Sequence, residues 1–189
     1  MSFGVTDDDD EIKQAILDVR KDRKDNVIFL ASAGNSGPHE DIAFPARYKG
    51  VISIRATDYL GTVPGTNPTT DWLGPVSFAT FGDNIPPRLR KYKQEVCGPG
   101  SSVSTAVAAG IAATILSYVS LLPLLFPKNV GVDDLKKLRT VEGMEVLFLT
   151  LSRDVGNRIR FVNLVKFFTD RKTNFHRLCA IVECIVKIK

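Results

Sequence analysis

Between Ala106 and Phe126 the chain carries no charged residue, and no other stretch limits the available folds so strongly. Its length alone would allow a membrane span. Pro123 interrupts the run, Ser and Tyr dilute it, and no second spanning stretch follows. The sequence therefore favours a helix buried inside a layered domain, where a helix is apolar all round. The segments around it agree. Asn26–Ser32 is short, continuously apolar and followed by turn residues, so it reads as a buried strand. Val51–Ala56 reads as a second strand and Val76–Phe81 as a third, with a Gly-, Pro-, Thr- and Asn-rich loop from Gly61 to Asn67 between them. Asp7–Arg20 reads as a helix, with Ile12, Ala15, Ile16 and Val19 on one face. Its acids lie at the start, and Lys21, Arg23 and Lys24 follow its end, as the helix dipole favours. Asp133–Leu138 reads as a short helix start and Glu145–Thr150 as a strand or a loop. Asn163–Phe168 and Phe175–Ile188 read as helical. Strand–helix alternation of this kind gives an α/β fold with a mostly parallel sheet.

Composition excludes several classes. With 44% hydrophobic and 24% charged residues over 189 positions, this is a folded chain with a real core. A net charge of +4 is too small to imply nucleic acid or an anionic membrane as partner. The basic run Arg88–Lys93, after Pro86-Pro87, reads as a solvated loop. Cys97, Cys179 and Cys184 are an odd count without C-x-x-C spacing, which argues against zinc and against a disulfide framework. Met1–Val5 has no basic start and runs straight into Asp7–Asp10. No signal-peptide pattern is present, and an intracellular setting is favoured without a compartment being fixed. The four aspartates read as a helix cap and first turn. Calcium is the one cofactor they would admit, but carboxylates alone lack the loop geometry calcium needs; no other cofactor or metal is expected.

Two segments carry chemistry. Ala31-Ser32-Ala33-Gly34-Asn35-Ser36-Gly37 lies at the end of a strand, where open α/β sheets bind ligands. It is either a plain turn or a loop that presents the Asn35 amide. Gly98-Pro99-Gly100-Ser101-Ser102 leads into the uncharged helix. A serine there is either an N-cap or a nucleophile set among helix N-terminal N–H groups that favour developing negative charge. It is not a nucleophile elbow, because position 104 is Ser and not Gly.

Together the two segments resemble the subtilisin-like serine protease family, whose nucleophile motif reads Gly-Thr-Ser-Met-Ala-Thr-Pro-His-Val-Ala-Gly. Gly100, Ser102, Thr105, Ala109 and Gly110 match it, with Ser101 in place of the threonine and Val103 in place of the methionine. Ala33-Gly34-Asn35 matches the family's Ala-(Ala/Ser)-Gly-Asn stretch. Phe44-Pro45-Ala46, the strand after it, Met1-Ser2-Phe3-Gly4 and Val76–Gly82 are further echoes. The chain looks most like the divergent intracellular fungal branch. The resemblance implies a serine-type endopeptidase with Ser102 as nucleophile and Asn35 as oxyanion donor beside the Ser102 N–H. It implies peptide or protein substrate bordered by Ser2, Phe3, Gly4 and Gly34, a cis Phe44–Pro45 bond, and a sheet covered by helices on both faces.

The same resemblance exposes departures. The family's triad runs Asp, His, Ser, yet no Asp here precedes Thr or Ser and no His precedes Gly. His39 and His176 fall after the place where the base belongs. The expectation is a partial peptidase domain over 1–164, its N-terminal half missing, and a helical extension over 165–189. The Asp and His would then come from the missing half or another chain. Half of such a sheet would also leave an open edge and apolar surface, which predicts self-association. The alternative is a catalytically inactive remnant that binds peptides or proteins.

Overall fold

Each strand of the sheet is short, and its register follows from which residues can be buried on both faces. The computed structural model describes residues 1–68, 76–83, 100–165 and 171–187. Strands β1 (Leu30–Ser32), β2 (Ile52–Thr57), β3 (Ser77–Phe81), β4 (Ser152–Asp154) and β5 (Ile159–Val162) form one sheet in the order β1-β2-β3-β5-β4. The first three and β5 are parallel, and only the β4–β5 pair is antiparallel. This is the mostly parallel sheet that the strand–helix alternation predicts.

Neighbouring residues of β1 point into different cores, as the period-two geometry of a strand requires. Leu30 joins Ile52, Ile54 and Phe78 under helix α2 (Ser101–Val119), while Ala31 joins Ile16 of helix α1 (Asp10–Asp22) on the other face. The larger core also takes in α5 (Val141–Leu151) and the C-terminal helix α6 (Arg171–Lys187), through Met144, Leu147, Phe148, Ile181 and Ile185. Phe78 and Phe148 meet edge to face with ring centroids 5.4 Å apart. Short helices α3 (Leu122–Leu125) and α4 (Asp134–Lys137) link α2 to α5. Helices thus cover both faces, as expected.

Several sequence expectations are corrected. Glu145–Thr150 is neither strand nor loop but part of α5. Thr140 caps that helix by accepting the Gly143 N–H at 3.1 Å, and Met144, Leu147, Phe148 and Leu151 fall on one buried face. Helix α1 begins later than Asp7, because Asp9 is the cap and accepts the Ile12 N–H at 3.0 Å. β1 begins at Leu30, four residues after Asn26. α2 is not buried all round: Ser101, Ser104, Thr105, Ala108, Ala112, Ile115 and Val119 are buried, and the opposite face carries exposed Ala106, Ala109, Gly110 and Ala113. The α2–α3 stretch, Ser101–Leu125, is long and apolar enough to cross a membrane by length and composition; here one face of α2 packs on the sheet. The β4–β5 hairpin follows no feature that was read from the sequence. Arg88–Lys93 and Cys97 lie outside the described residues, and Cys179 and Cys184 are free thiols. Phe44–Pro45 is cis.

The polar face of β2 shapes the ground beneath the candidate site. Ser53, Arg55 and Thr57 are buried there. A guanidinium N–H of Arg55 donates to the Pro68 carbonyl, and burial lowers the Arg55 pKa from its ordinary value to about 10. In a parallel ladder the N–H and C=O of one residue face the same neighbour. Those of Ile52 and Ile54 face β1: the Ile52 N–H donates to Phe29 at 2.8 Å, and the Ile54 carbonyl accepts from Ala33 at 2.9 Å. Ala56 is next in that series, but by then the chain of β1 has turned away at Gly34. The Asn67 side chain fills the gap, donating to the Ala56 carbonyl at 2.8 Å and accepting its N–H at 3.2 Å.

Replacing Asn67 with Ala leaves two buried backbone groups without partners. At about 1–3 kcal/mol for each unsatisfied group, Asn67→Ala is expected to lower unfolding free energy by more than ~2 kcal/mol in urea titration. A loss below ~1 kcal/mol would show that water replaces the side chain there.

Candidate active site

The site forms where two chain ends meet: the turn after β1 and the first turn of α2. Two close approaches make the meeting possible. A Cβ on Gly82, just past β3, would collide with Ser104 Oγ and lie 2.7 Å from the Gly100 carbonyl. A Cβ on Gly100 would lie 2.8 Å from both terminal atoms of the Asn35 amide. With hydrogens in those places, the Gly100 N–H reaches the Gly82 carbonyl at 2.7 Å and α2 starts directly above the end of β3. Ser104 donates to the Thr80 carbonyl at 3.0 Å and Thr105 to the Ser101 carbonyl at 2.7 Å, so the helix start is bonded down along its buried side.

Ser101 is fully buried and joins the two ends. Its hydroxyl lies 2.6 Å from Ser32 Oγ, 2.9 Å from the Gly34 carbonyl and 3.0 Å from Asn35 Oδ1, and it accepts the Gly34 N–H at 3.2 Å. The Ser101 N–H donates to Asn35 Oδ1 at 2.8 Å. A backbone N–H can only donate, so the atom it meets is the amide oxygen. The Ser102 N–H, an unpaired donor of the helix start, has no acceptor among the described residues. The dipole of a 19-residue helix points at the position of Ser102, and Asn35 lines the same cleft.

Ser102 Oγ donates to the Ser2 carbonyl at 2.6 Å. The Met1–Val5 segment runs beside β1, with the Ser32 N–H bonded to the Met1 carbonyl at 3.0 Å, and Val5 and Phe44 exchange both backbone hydrogen bonds at 2.9 Å. A Cβ on Gly4 would lie 2.5 Å from the Ala43 methyl, so these two close the floor of the site. Above the floor is a cleft of about 640 Å³ lined by Gly4, Val5, Thr6, Ser32, Gly34, Asn35, Ser36, Glu40, Asp41, Ala43, Arg47, Pro68 and Ser102.

Of the residues named from the sequence, Ser102, Asn35, Gly34 and Gly4 line this cleft together. Ser2 reaches it through its carbonyl, and Phe3, 49% exposed, is not among the lining residues. Neither His39 nor His176 lines it. The central role of Ser101 was not read from the sequence; its adjacency to Ser102 was the only available signal. Arg47 was also missed. It donates to Asp8 at 2.6 and 2.9 Å, to the Thr6 carbonyl at 2.7 Å and to the Ile42 carbonyl at 3.0 Å. The hydrogen bond from Arg47, followed by that from Lys13, holds the Asp8 carboxyl below its ordinary pKa. The aspartate run is thus committed to a cap and to ion pairs, and no group of three or more His, Cys, Asp or Glu that could hold a metal occurs among the described residues.

A Ser hydroxyl at a helix N-terminus can form an ester with an acyl carbon, provided that a base takes the hydroxyl proton, and N–H donors beside it can stabilise the tetrahedral oxyanion.

Comparisons with known proteins place the chain in a family. The sequence model of the subtilase family matches residues 1–124. Minor extracellular protease Epr of Bacillus subtilis (strain 168) is 30% identical over 116 residues, which cover 61% of this chain and 17% of that protein. Subtilisin-like protease het-Q2 of Podospora anserina is 26% identical over 113 residues, covering 57% of this chain and 30% of that protein. Among solved structures, the prenylagaramide maturation protease PagA superposes with a TM-score of 0.57 at 18% identity, covering 100% of this chain and 61% of that one. The patellamide maturation protease PatA gives 0.55 at 20% identity, with coverages of 98% and 60%. The chain spans less than a third of the length of these curated relatives.

Two expectations follow from the geometry. Ser101→Ala removes a buried hydroxyl with four neighbours and is expected to cost about 1–3 kcal/mol in urea unfolding, whereas Ser102→Ala, at a partly exposed position, is expected to change stability by less than about 1 kcal/mol. Equal costs for the two would contradict the division of labour described here. The second concerns acid. A carboxyl with a depressed folded pKa stabilises above its unfolded value of 3.8 and loses that contribution as pH falls through the folded value. Asp8→Asn is therefore expected to reduce the drop in Tm between about pH 5 and pH 2; an unchanged drop would mean that the Asp8–Arg47 pair contributes nothing in solution.

Proposed function

The chain belongs to the subtilase family, and we propose that it carries the nucleophile and oxyanion-binding half of a serine endopeptidase site. Ser102 Oγ attacks the carbonyl carbon of a peptide bond. The negative charge that forms on the carbonyl oxygen is received by the Asn35 NH₂ and the Ser102 N–H. Collapse of the tetrahedral species expels the amine, which takes up the proton lost by Ser102, and water then hydrolyses the ester to restore the serine. The substrate chain lies along Ser2–Gly4 by strand pairing, with Gly34 on the opposite wall. The proton must pass through a general base. The imidazole and the carboxylate that orients it would be supplied by further sequence of the same protein or by another chain.

One observation supports this reading above the rest. Ser102 and Asn35 line one cleft although they are far apart in sequence, with the Asn35 side-chain oxygen tied to the N–H and hydroxyl of Ser101, next to Ser102. A second reading is a non-catalytic binding module, favoured by the bond from Ser102 to the Ser2 carbonyl. That bond occupies the proton which a base would remove, and an unassisted serine is a weak nucleophile at neutral pH.

Labelling with a fluorophosphonate, combined with intact mass, separates the two. The protein is isolated from its source under native conditions. On the first reading, labelled Ser102 appears in a polypeptide heavier than 20.8 kDa, or in a complex with a partner that carries the base, and Ser102→Ala abolishes the label. In that setting Asn35→Ala is expected to slow acylation by about 10²–10³-fold. A native species of 20.8 kDa that stays unlabelled yet still binds peptide would establish the binding module.

A further inference from the structure

Among the described residues, three charged side chains line the cleft, and they do not balance. Glu40, Asp41 and Arg47 all line it. Arg47 is fully committed: one carboxylate, that of Asp8, neutralises its charge, and the Thr6 and Ile42 carbonyls take further N–H groups. Glu40 and Asp41 are exposed, and among the described residues no cation lies within salt-bridge distance of either. The loop that carries them is anchored at its base, where the Gly37 N–H donates to the Thr66 carbonyl at 3.0 Å and the Glu40 N–H to the Gly37 carbonyl at 3.3 Å. The acids therefore belong to a fixed wall of the cleft.

We infer that this cleft selects peptides with a basic side chain, Lys or Arg, and that Glu40 and Asp41 are the residues that choose it. The inference rests on the reading of the cleft as a peptide site. Val5, Ala43 and Pro68 add apolar surface to the lining of the same cleft, and Lys and Arg are the side chains whose hydrocarbon stem can cover apolar surface while the charged head reaches a polar group. A neutral side chain gains only the apolar surface. An acidic one meets two like charges, so selection works by repulsion as well as attraction. The acids are exposed, so screening limits the effect and makes it fall with added salt.

The test is fluorescence anisotropy with the full chain and fluorescein-labelled pentapeptides Ala-Ala-Ala-X-Ala, where X is Lys, Gln or Glu. At low salt the Lys peptide is expected to bind about 3- to 10-fold more tightly than the Gln peptide, with the Glu peptide weakest. The double variant Glu40→Gln/Asp41→Asn is expected to flatten the series, while Asp22→Asn/Asp133→Asn, which changes net charge equally at remote exposed positions, leaves it intact. Thermal melts confirm that both variants fold. If all three peptides bind equally, the cleft is a peptide site without charge selection and the inference is overturned alone. The same holds if the order survives in Glu40→Gln/Asp41→Asn or collapses in the remote variant. If no peptide binds at any salt concentration, the reading of the cleft as a peptide site falls with it.

Discussion

A single buried hydroxyl, that of Ser101, holds the candidate site together. The turn after β1 and the start of α2 are separated by more than sixty residues of chain, and closing so long a loop carries an entropic cost that each end must help to offset. Ser101 offsets it with several short contacts at once, to Ser32, Gly34 and Asn35. Because the hydroxyl can donate and accept together, it satisfies groups of both polarities in a place closed to water. The glycines at 82 and 100 matter for the same reason. They let two backbones approach until bonds of this length can form.

Beyond that knot the site depends on α2 as a beam. Its buried residues near the N-terminus are small and polar, Ser101, Ser104 and Thr105, and further along they become Ala108, Ala112, Ile115 and Val119. Ser101 and Ser104 bond to backbone at the ends of β1 and β3, Thr105 to the Ser101 carbonyl within the helix, and the second group packs on the middle of the sheet. The two roles are thus divided along one helix, so the partly exposed Ser102 can sit at its tip without weakening the core.

Much of this was legible in the sequence. Ser102 and Asn35 stood out only through the family resemblance of the two motifs taken together; each motif alone reads as a helix cap or a turn. The three first strands were legible because parallel strands buried on both faces read as apolar runs. What escaped reading depends on partners distant in sequence. Glu145–Thr150 has no clear local period, and its helical state is set by the Thr140 cap and by Phe78 across the core. The β4–β5 hairpin is short and partly exposed, so its alternation is weak. Ser101 looks like any helix-start serine until its four neighbours are known, and Arg47 looks like a surface cation until Asp8 is placed beside it.

The order of the sheet bears on how the protein is made. β3 lies between β2 and β5, and Ser77 pairs with Ile159, so the centre of the sheet awaits a strand translated some eighty residues later. Of the wall behind Phe78, Met144 and Leu147 come shortly before that strand, and Ile181 and Ile185 after it. Every residue of the candidate site leaves the ribosome before any of these. The nascent chain therefore exposes β2, β3 and the apolar side of α2 through much of its synthesis, a period in which such surfaces invite mispairing. Helix α6, through Ile181 and Ile185, is the part of that wall translated furthest from the site, some eighty residues after Ser102.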